Sequence, residues 1–149
     1  MKDEYVAYVG TYTHGSSIGI HLYDVNVEEG TLTERKVIPV NNSSHIARSL
    51  NGKYLYSIAD EGVAVFEIKP DGDLELINKV GIDGMRGCYL CVDDTGKYLF
   101  VQVLDRCQEA VGSLSGLIQR RKSRRRRVSR VPGRCPAAWA DPFLRSAGA

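Results

Sequence analysis

No stretch of the 149 residues is apolar for the roughly 20 positions that a bilayer-spanning helix needs, which excludes such a helix. A secretory leader is also missing at Met1-Lys2-Asp3-Glu4, which runs straight into a strand-like segment from Tyr5, so the expected compartment is the cytoplasm. Cysteine is scarce, with four in all. Cys88 and Cys91 have C-x-x-C spacing, but they fall in the strand-like Cys88-Tyr89-Leu90-Cys91-Val92. Residues three apart on a strand point to opposite faces, so the two thiols can neither share a metal nor pair easily. Cys107 and Cys135 have no partner motif, and neither a metal site nor a cofactor is expected. Histidine occurs only three times. His14 sits in a Gly/Ser loop and His21 in a strand pattern, neither with an evident nucleophile and acidic partner, so no triad is expected and the catalytic residues stay unassigned. Tyrosine disappears after Tyr98, although eight occur up to that point.

What is present is a unit running from His45 to Val80 that reads as four antiparallel strands. His45 to Ser49 is a short first strand, and Leu50-Asn51-Gly52-Lys53 supplies residues that tolerate the positive φ of a tight turn. Tyr54 to Ala59 is rich in residues suited to a pleated surface. Asp60-Glu61-Gly62 breaks it, Val63 to Ile68 forms a third strand, and Pro70-Asp71-Gly72 closes the turn into a fourth at Leu74 to Ile77. The unit recurs. Tyr98-Leu99-Phe100 follows Thr95-Gly96-Lys97 as Tyr54-Leu55-Tyr56 follows Asn51-Gly52-Lys53, 44 residues earlier. Gly19-Ile20-His21-Leu22-Tyr23 matches Gly62-Val63-Ala64-Val65-Phe66 at a spacing of 43. A four-stranded repeat of this length is the signature of a propeller blade, which buries its faces only against its neighbours.

The expected fold is therefore all-β, a β-propeller fragment of about two and a half four-stranded blades followed by an irregular or disordered Arg-rich tail. The blades are assigned to residues 5–40, 45–80 and, incompletely, 86–101, with residues 102–149 as the tail. Propeller rings need at least about four blades, so the chain is too short to close by itself, and its open edges favour self-association. Charge divides at the same boundary. Through Val101 nine basic residues face fifteen acidic ones, whereas eleven basic residues face three acidic ones beyond it. Three readings of Arg120 to Arg130 stand: an inert solvated tail, a reading frame lost near Val101, and a nucleic-acid-binding segment whose guanidinium groups neutralise phosphates. In-strand alternation ends at Val101, and acidic pairs such as Asp60-Glu61 and Asp93-Asp94 read as turn caps.

Tyr8-Val9-Gly10-Thr11-Tyr12-Thr13, followed by Gly19-Ile20 and Tyr23-Asp24-Val25, resembles the opening of the seven-bladed propeller lactonases, the 6-phosphogluconolactonase-like family. Gly84-Met85-Arg86-Gly87-Cys88-Tyr89-Leu90-Cys91-Val92-Asp93 is similar to a second segment of that family, in which Gly87 replaces a usual proline and Tyr89 a usual histidine. The resemblance covers Tyr5 to Val101. It implies hydrolysis of a sugar lactone such as 6-phosphogluconolactone, with a central cleft most of whose later positions have no counterpart here. Lactone opening needs an activated water and donors for the oxyanion, and a phosphorylated substrate also needs a cation. Arg86, at the loop entering an inner strand, is the candidate substrate-binding cation, with His45 and Arg48 as further candidates. A non-catalytic propeller that binds partners through its loops is the alternative.

Overall fold

The computed structural model describes residues 5–60, 62–82, 86–103, 108–113, 118 and 129–131. The strands are β1 (Tyr5–Val9), β2 (Gly19–Asn26), β3 (Thr31–Pro39), β4 (Ile46–Arg48), β5 (Tyr54–Ala59), β6 (Gly62–Ile68), β7 (Leu74–Gly81), β8 (Gly87–Val92), β9 (Tyr98–Val103), β10 (Gln108–Ser113) and β11 (Ser129–Val131). They form three antiparallel meanders: a three-stranded sheet β1-β2-β3, a four-stranded sheet β4-β5-β6-β7 and a four-stranded sheet β8-β9-β10-β11. Among the described residues the first sheet has no counterpart of the inner strands β4 and β8.

Turn chemistry explains the meanders. Gly52 and Gly96 adopt φ of 72° and 64°, the left-handed region that glycine enters without penalty. Asn51 Oδ1 accepts from the Lys53 N–H at 3.0 Å. Asp93 holds the equivalent turn, accepting from the N–H groups of Lys97 at 2.8 Å and Tyr98 at 2.7 Å. A hydrogen bond from the Thr95 side chain, with these backbone donors, holds the Asp93 carboxyl below its ordinary range. Asp93 is therefore a turn cap.

Alternation along each strand feeds two separate cores. On β5 and β6, Leu55, Ala64 and Phe66 pack toward the first sheet with Ile20, Leu22, Val40 and Leu74. Tyr56, Ile58, Val63 and Val65 pack toward the third with Leu90, Leu99, Val101 and Val103. Period-two alternation thus becomes apolar on both faces when a sheet is sandwiched, as parallel layers of blades require.

The third sheet continues past Val101, where the in-strand sequence pattern ends. β9 reaches Val103, β10 pairs with it from Gln108↔Val103 to Ser113↔Tyr98, and β11 pairs with β10. A ladder needs only unpaired backbone groups at the edge of β9 and an extended neighbour, so it can form where the turn motif has gone. The arginine run at 119–128 lies outside the described residues, and of the tail's basic residues only Arg130 falls on a described strand. Among the described residues no helix is long and apolar enough to cross a membrane.

Candidate functional site at the inner rim

Antiparallel order fixes two rims. The start of β4, the ends of β5 and β7 and the start of β8 lie at one rim; the β4–β5 and β8–β9 turns lie at the other. A methyl group added at Gly96 would meet Leu50 Cδ1 at 3.3 Å, so these two turns are neighbours. His45 immediately precedes β4 and touches β8, so the two inner strands run side by side in the same direction.

His45 is held by its surroundings. Its Nδ1 accepts a hydrogen bond from the Leu90 N–H at 3.3 Å, and its ring lies 4.3 Å from that of Tyr89 at a tilt of 46°. Its own carbonyl accepts from Ile58 N–H at 2.9 Å. Burial lowers its pKa, because a charged ring is penalised away from water. With Nδ1 accepting, the neutral ring carries its proton on Nε2, which makes that nitrogen a hydrogen-bond donor. Tyr89 is 44% exposed beside it.

Arg86 stands exposed just before β8. It precedes Tyr89, the residue beside His45, by three residues, about 10 Å of extended chain. Arg48 ends β4 three residues after His45, at the opposite rim and on the opposite face, where it lies near Gly52 and its charge opposes the burial-driven rise in the Tyr8 pKa. The structure sets Tyr89 beside His45 and turns Arg48 to the opposite face, because strand alternation sends positions 45 and 48 to different faces.

The rim is braced by a polar network between the first two sheets. Asn42, in the left-handed region at φ 52°, donates through Nδ2 to Asp60 Oδ1 at 2.5 Å and accepts through Oδ1 from Thr13 N–H at 3.1 Å. Buried Ser43 accepts from Thr11 N–H at 3.2 Å and donates to the Thr11 carbonyl at 3.2 Å. The Gly10 to Thr13 segment is therefore a strap across the entrance to β4. Asp60 serves as a partner in this brace. Among the described residues no cluster of three or more potential ligands could hold a metal. Cys88 Sγ donates to the Gln102 carbonyl and Cys91 Sγ to the Val92 carbonyl, each at 3.3 Å, and both are free thiols.

Sequence reasoning found no partners for His21, and here the structure corrects it. Ser17 Oγ and Glu34 Oε2 each lie 2.7 Å from a His21 ring nitrogen, on the face of the first sheet turned away from the second. Glu34 lies 13 residues away along the chain, and only the β2–β3 pairing brings it close.

Comparison with known proteins bears on the whole arrangement. Residues 6–105 match the family described as "Lactonase, 7-bladed beta-propeller". The 6-phosphogluconolactonase of Bacillus subtilis is 36% identical over 102 residues, which cover 64% of this chain and 29% of that protein. A Bacteroides fragilis crystal structure provisionally assigned as a 6-phosphogluconolactonase superposes with a TM-score of 0.66 at 30% identity, over 74% of this chain and 32% of that one. The periplasmic gluconolactonase PpgL of Pseudomonas aeruginosa shares the fold at 24% identity and a TM-score of 0.64, covering 72% of this chain and 34% of its own, so the fold itself occurs outside the cytoplasm. The chain spans about a third of the length of these relatives. A matched stretch of 100 residues, the blade repeat and the radial stacking of three meanders agree: this chain belongs to the seven-bladed β-propeller lactonase family.

Proposed function

We infer that the chain contributes the first blades of a hydrolase acting on a sugar δ-lactone, with 6-phosphogluconolactone as the expected substrate, and that its cleft opens at the His45 rim. The observation that carries this reading is the match across residues 6–105 together with 36% identity to a protein named 6-phosphogluconolactonase. In this reading, the Nε2–H of neutral His45 donates to the lactone carbonyl oxygen as it gains negative charge, and the exposed Arg86 guanidinium engages the substrate phosphate. The base that activates water comes from blades beyond those present, since the chain spans about a third of its relatives. The expected site of action is the cytoplasm, where phosphorylated sugars are made.

Turnover by the 149-residue chain alone is expected not to exceed spontaneous lactone opening, as followed by acid release in a pH-stat. Co-expression with the remaining C-terminal part of the Bacillus subtilis relative should restore turnover. In that assembly Arg86→Ala should raise KM for the phosphorylated lactone while leaving KM for unphosphorylated gluconolactone unchanged. An assembled but inert complex would overturn the lactonase reading, and enzymatic turnover by the chain alone would overturn its incompleteness.

A further inference from the structure

One residue ties the second sheet to the third through two different groups. His45 immediately precedes β4, and its carbonyl accepts from the Ile58 N–H of β5 at 2.9 Å, which fixes it to the second sheet. Its ring reaches across: Nδ1 accepts from the Leu90 N–H of β8 at 3.3 Å, and the ring centroid lies 4.3 Å from that of Tyr89. A backbone N–H lies in the plane of its sheet, and β9 pairs with β8 on one side, at the end of the order β11-β10-β9-β8. The His45 ring therefore stands at the other edge of β8 and caps an N–H there. In a propeller the inner edge of a blade faces the central channel rather than a neighbouring blade, so further blades would leave this contact as it is.

The contact needs an acceptor, and only the neutral ring has one. In an imidazolium both nitrogens donate and the other ring positions are C–H, so no rotation of it offers Leu90 a lone pair. Tyr89, the titratable group that faces the ring from β8, pulls the other way, because an aromatic face favours a cation beside it. Burial outweighs that pull and lowers the His45 pKa from 6.5, and no charged side chain among the described residues adds to the shift. β5 meets His45 with the Ile58 backbone N–H, Asp60 at its end is engaged by Asn42, and Arg86 stands exposed before β8.

The joint between the first two sheets is made of other chemistry. Thr11 N–H donates to Ser43 Oγ at 3.2 Å, Thr13 N–H to Asn42 Oδ1 at 3.1 Å, and the Tyr8 hydroxyl to the Gly72 carbonyl at 2.6 Å. Arg35 donates to the Asp71 carbonyl at 2.7 Å, and Lys36 to Asp73 at 2.6 Å, which holds the Asp73 carboxyl below its ordinary range. These groups keep their charge through the range in which an imidazole titrates.

We propose that His45 is a pH-sensitive latch between the second and third sheets, holding the inner edge of β8 while neutral and releasing it when protonated, with the joint between the first two sheets staying closed. Because the folded pKa is lowered, the stability that the latch contributes is complete above pH 6.5 and is lost as pH falls below that value. Release uncovers the Leu90 N–H and frees the Tyr89 ring, so β8 loosens from its inner edge.

The test measures amide hydrogen exchange of the full chain at about pH 8 and about pH 5, expressed as protection factors so that the intrinsic pH dependence of exchange drops out. Protection of Leu90 is expected to fall about tenfold on acidification, while that of Ile20 and Leu22 on β2 stays within about twofold. His45→Gln keeps an acceptor, a carboxamide oxygen that does not titrate, so its Leu90 protection should be the same at both pH values. His45→Ala has no acceptor and should protect Leu90 weakly at both. Unchanged Leu90 protection in the parent, or an equal fall in His45→Gln, would overturn the latch. If His45→Gln does not fold, nuclear magnetic resonance of the parent decides: the Leu90 amide and the His45 ring should titrate together with one midpoint below 6.5, and a Leu90 amide that ignores the ring would overturn the proposal.

Discussion

The first two sheets are built on one repeat but are used differently. From Gly62 to Phe66, β6 is buried at every position, whereas on β2 burial is complete only at Gly19, Ile20 and Leu22. Among the described residues the second sheet has a neighbour on each side and the first has one. Their sequences already reflect this, since Val63-Ala64-Val65-Phe66 is apolar throughout while Ile20-His21-Leu22-Tyr23 alternates. Alternation on β2 thus leaves His21 and Tyr23 on a polar face where β6 has Ala64 and Phe66 on an apolar one.

Substitution at matched positions should break that comparison most strongly. Phe66 is 1% exposed between the first two sheets, and Phe66→Ala should cost about 3–5 kcal/mol through lost burial and the cavity left behind. Tyr23→Ala, at the same place one repeat earlier, removes a ring with no sheet beyond it and should cost a small fraction of that. Urea titration of both variants is the measurement. Equal losses would mean that another part of the chain covers the outer face of the first sheet.

A smaller effect separates the two cores. Tyr56 is fully buried between the second and third sheets, its hydroxyl has no hydrogen-bond partner among the described residues, and burial pushes its pKa up to about 12. The folded state thus holds the neutral phenol while the unfolded chain ionises it near its ordinary value of 10.0. Stability contributed by the neutral form is complete below pH 10.0 and is lost as pH rises through about 12. Tyr8 is raised by burial in the other core, so alkaline unfolding has two sources. Tyr56→Phe should leave stability at neutral pH equal or higher by about 1 kcal/mol, since an unpaired buried hydroxyl is removed. It should also flatten the decline above pH 10.0, measured by pH-dependent denaturation. A loss at neutral pH would mean that the hydroxyl has a partner, such as a buried water.

Much of the fold was legible because its signals are local. The Asn51-Gly52 and Thr95-Gly96 turns, the 43- to 44-residue spacing and the apolar runs of β5 and β6 each follow from residues a few positions apart. The candidate site was legible only in part. His45 and Arg86 each precede an inner strand, a consequence of the repeat. Arg48 fell on the other rim because a three-residue offset changes both end and face. The Ser17-His21-Glu34 cluster was hidden because it needs a hairpin, a loop return and a one-residue bulge at once. A polar residue standing where the repeat has Ala64 was the available signal.

The finest comparison sets the two matching turns against each other. Gly52→Ala and Gly96→Ala each force an alanine into the left-handed region, at a cost of about 1–2 kcal/mol before any contact is counted. At position 52 the new methyl group meets the flexible guanidinium of Arg48, which can move aside; at position 96 it meets Leu50 Cδ1 at 3.3 Å, a contact that needs only a slight shift. Backbone strain therefore dominates in both, and the two losses should agree if the second and third sheets unfold together. Calorimetry that shows the Gly52→Ala penalty in full and the Gly96→Ala penalty only in a separate, earlier transition would establish that the third sheet melts on its own. The core of Tyr56, Leu90 and Leu99 would then be a weaker joint than the core of Phe66, Ile20 and Leu22.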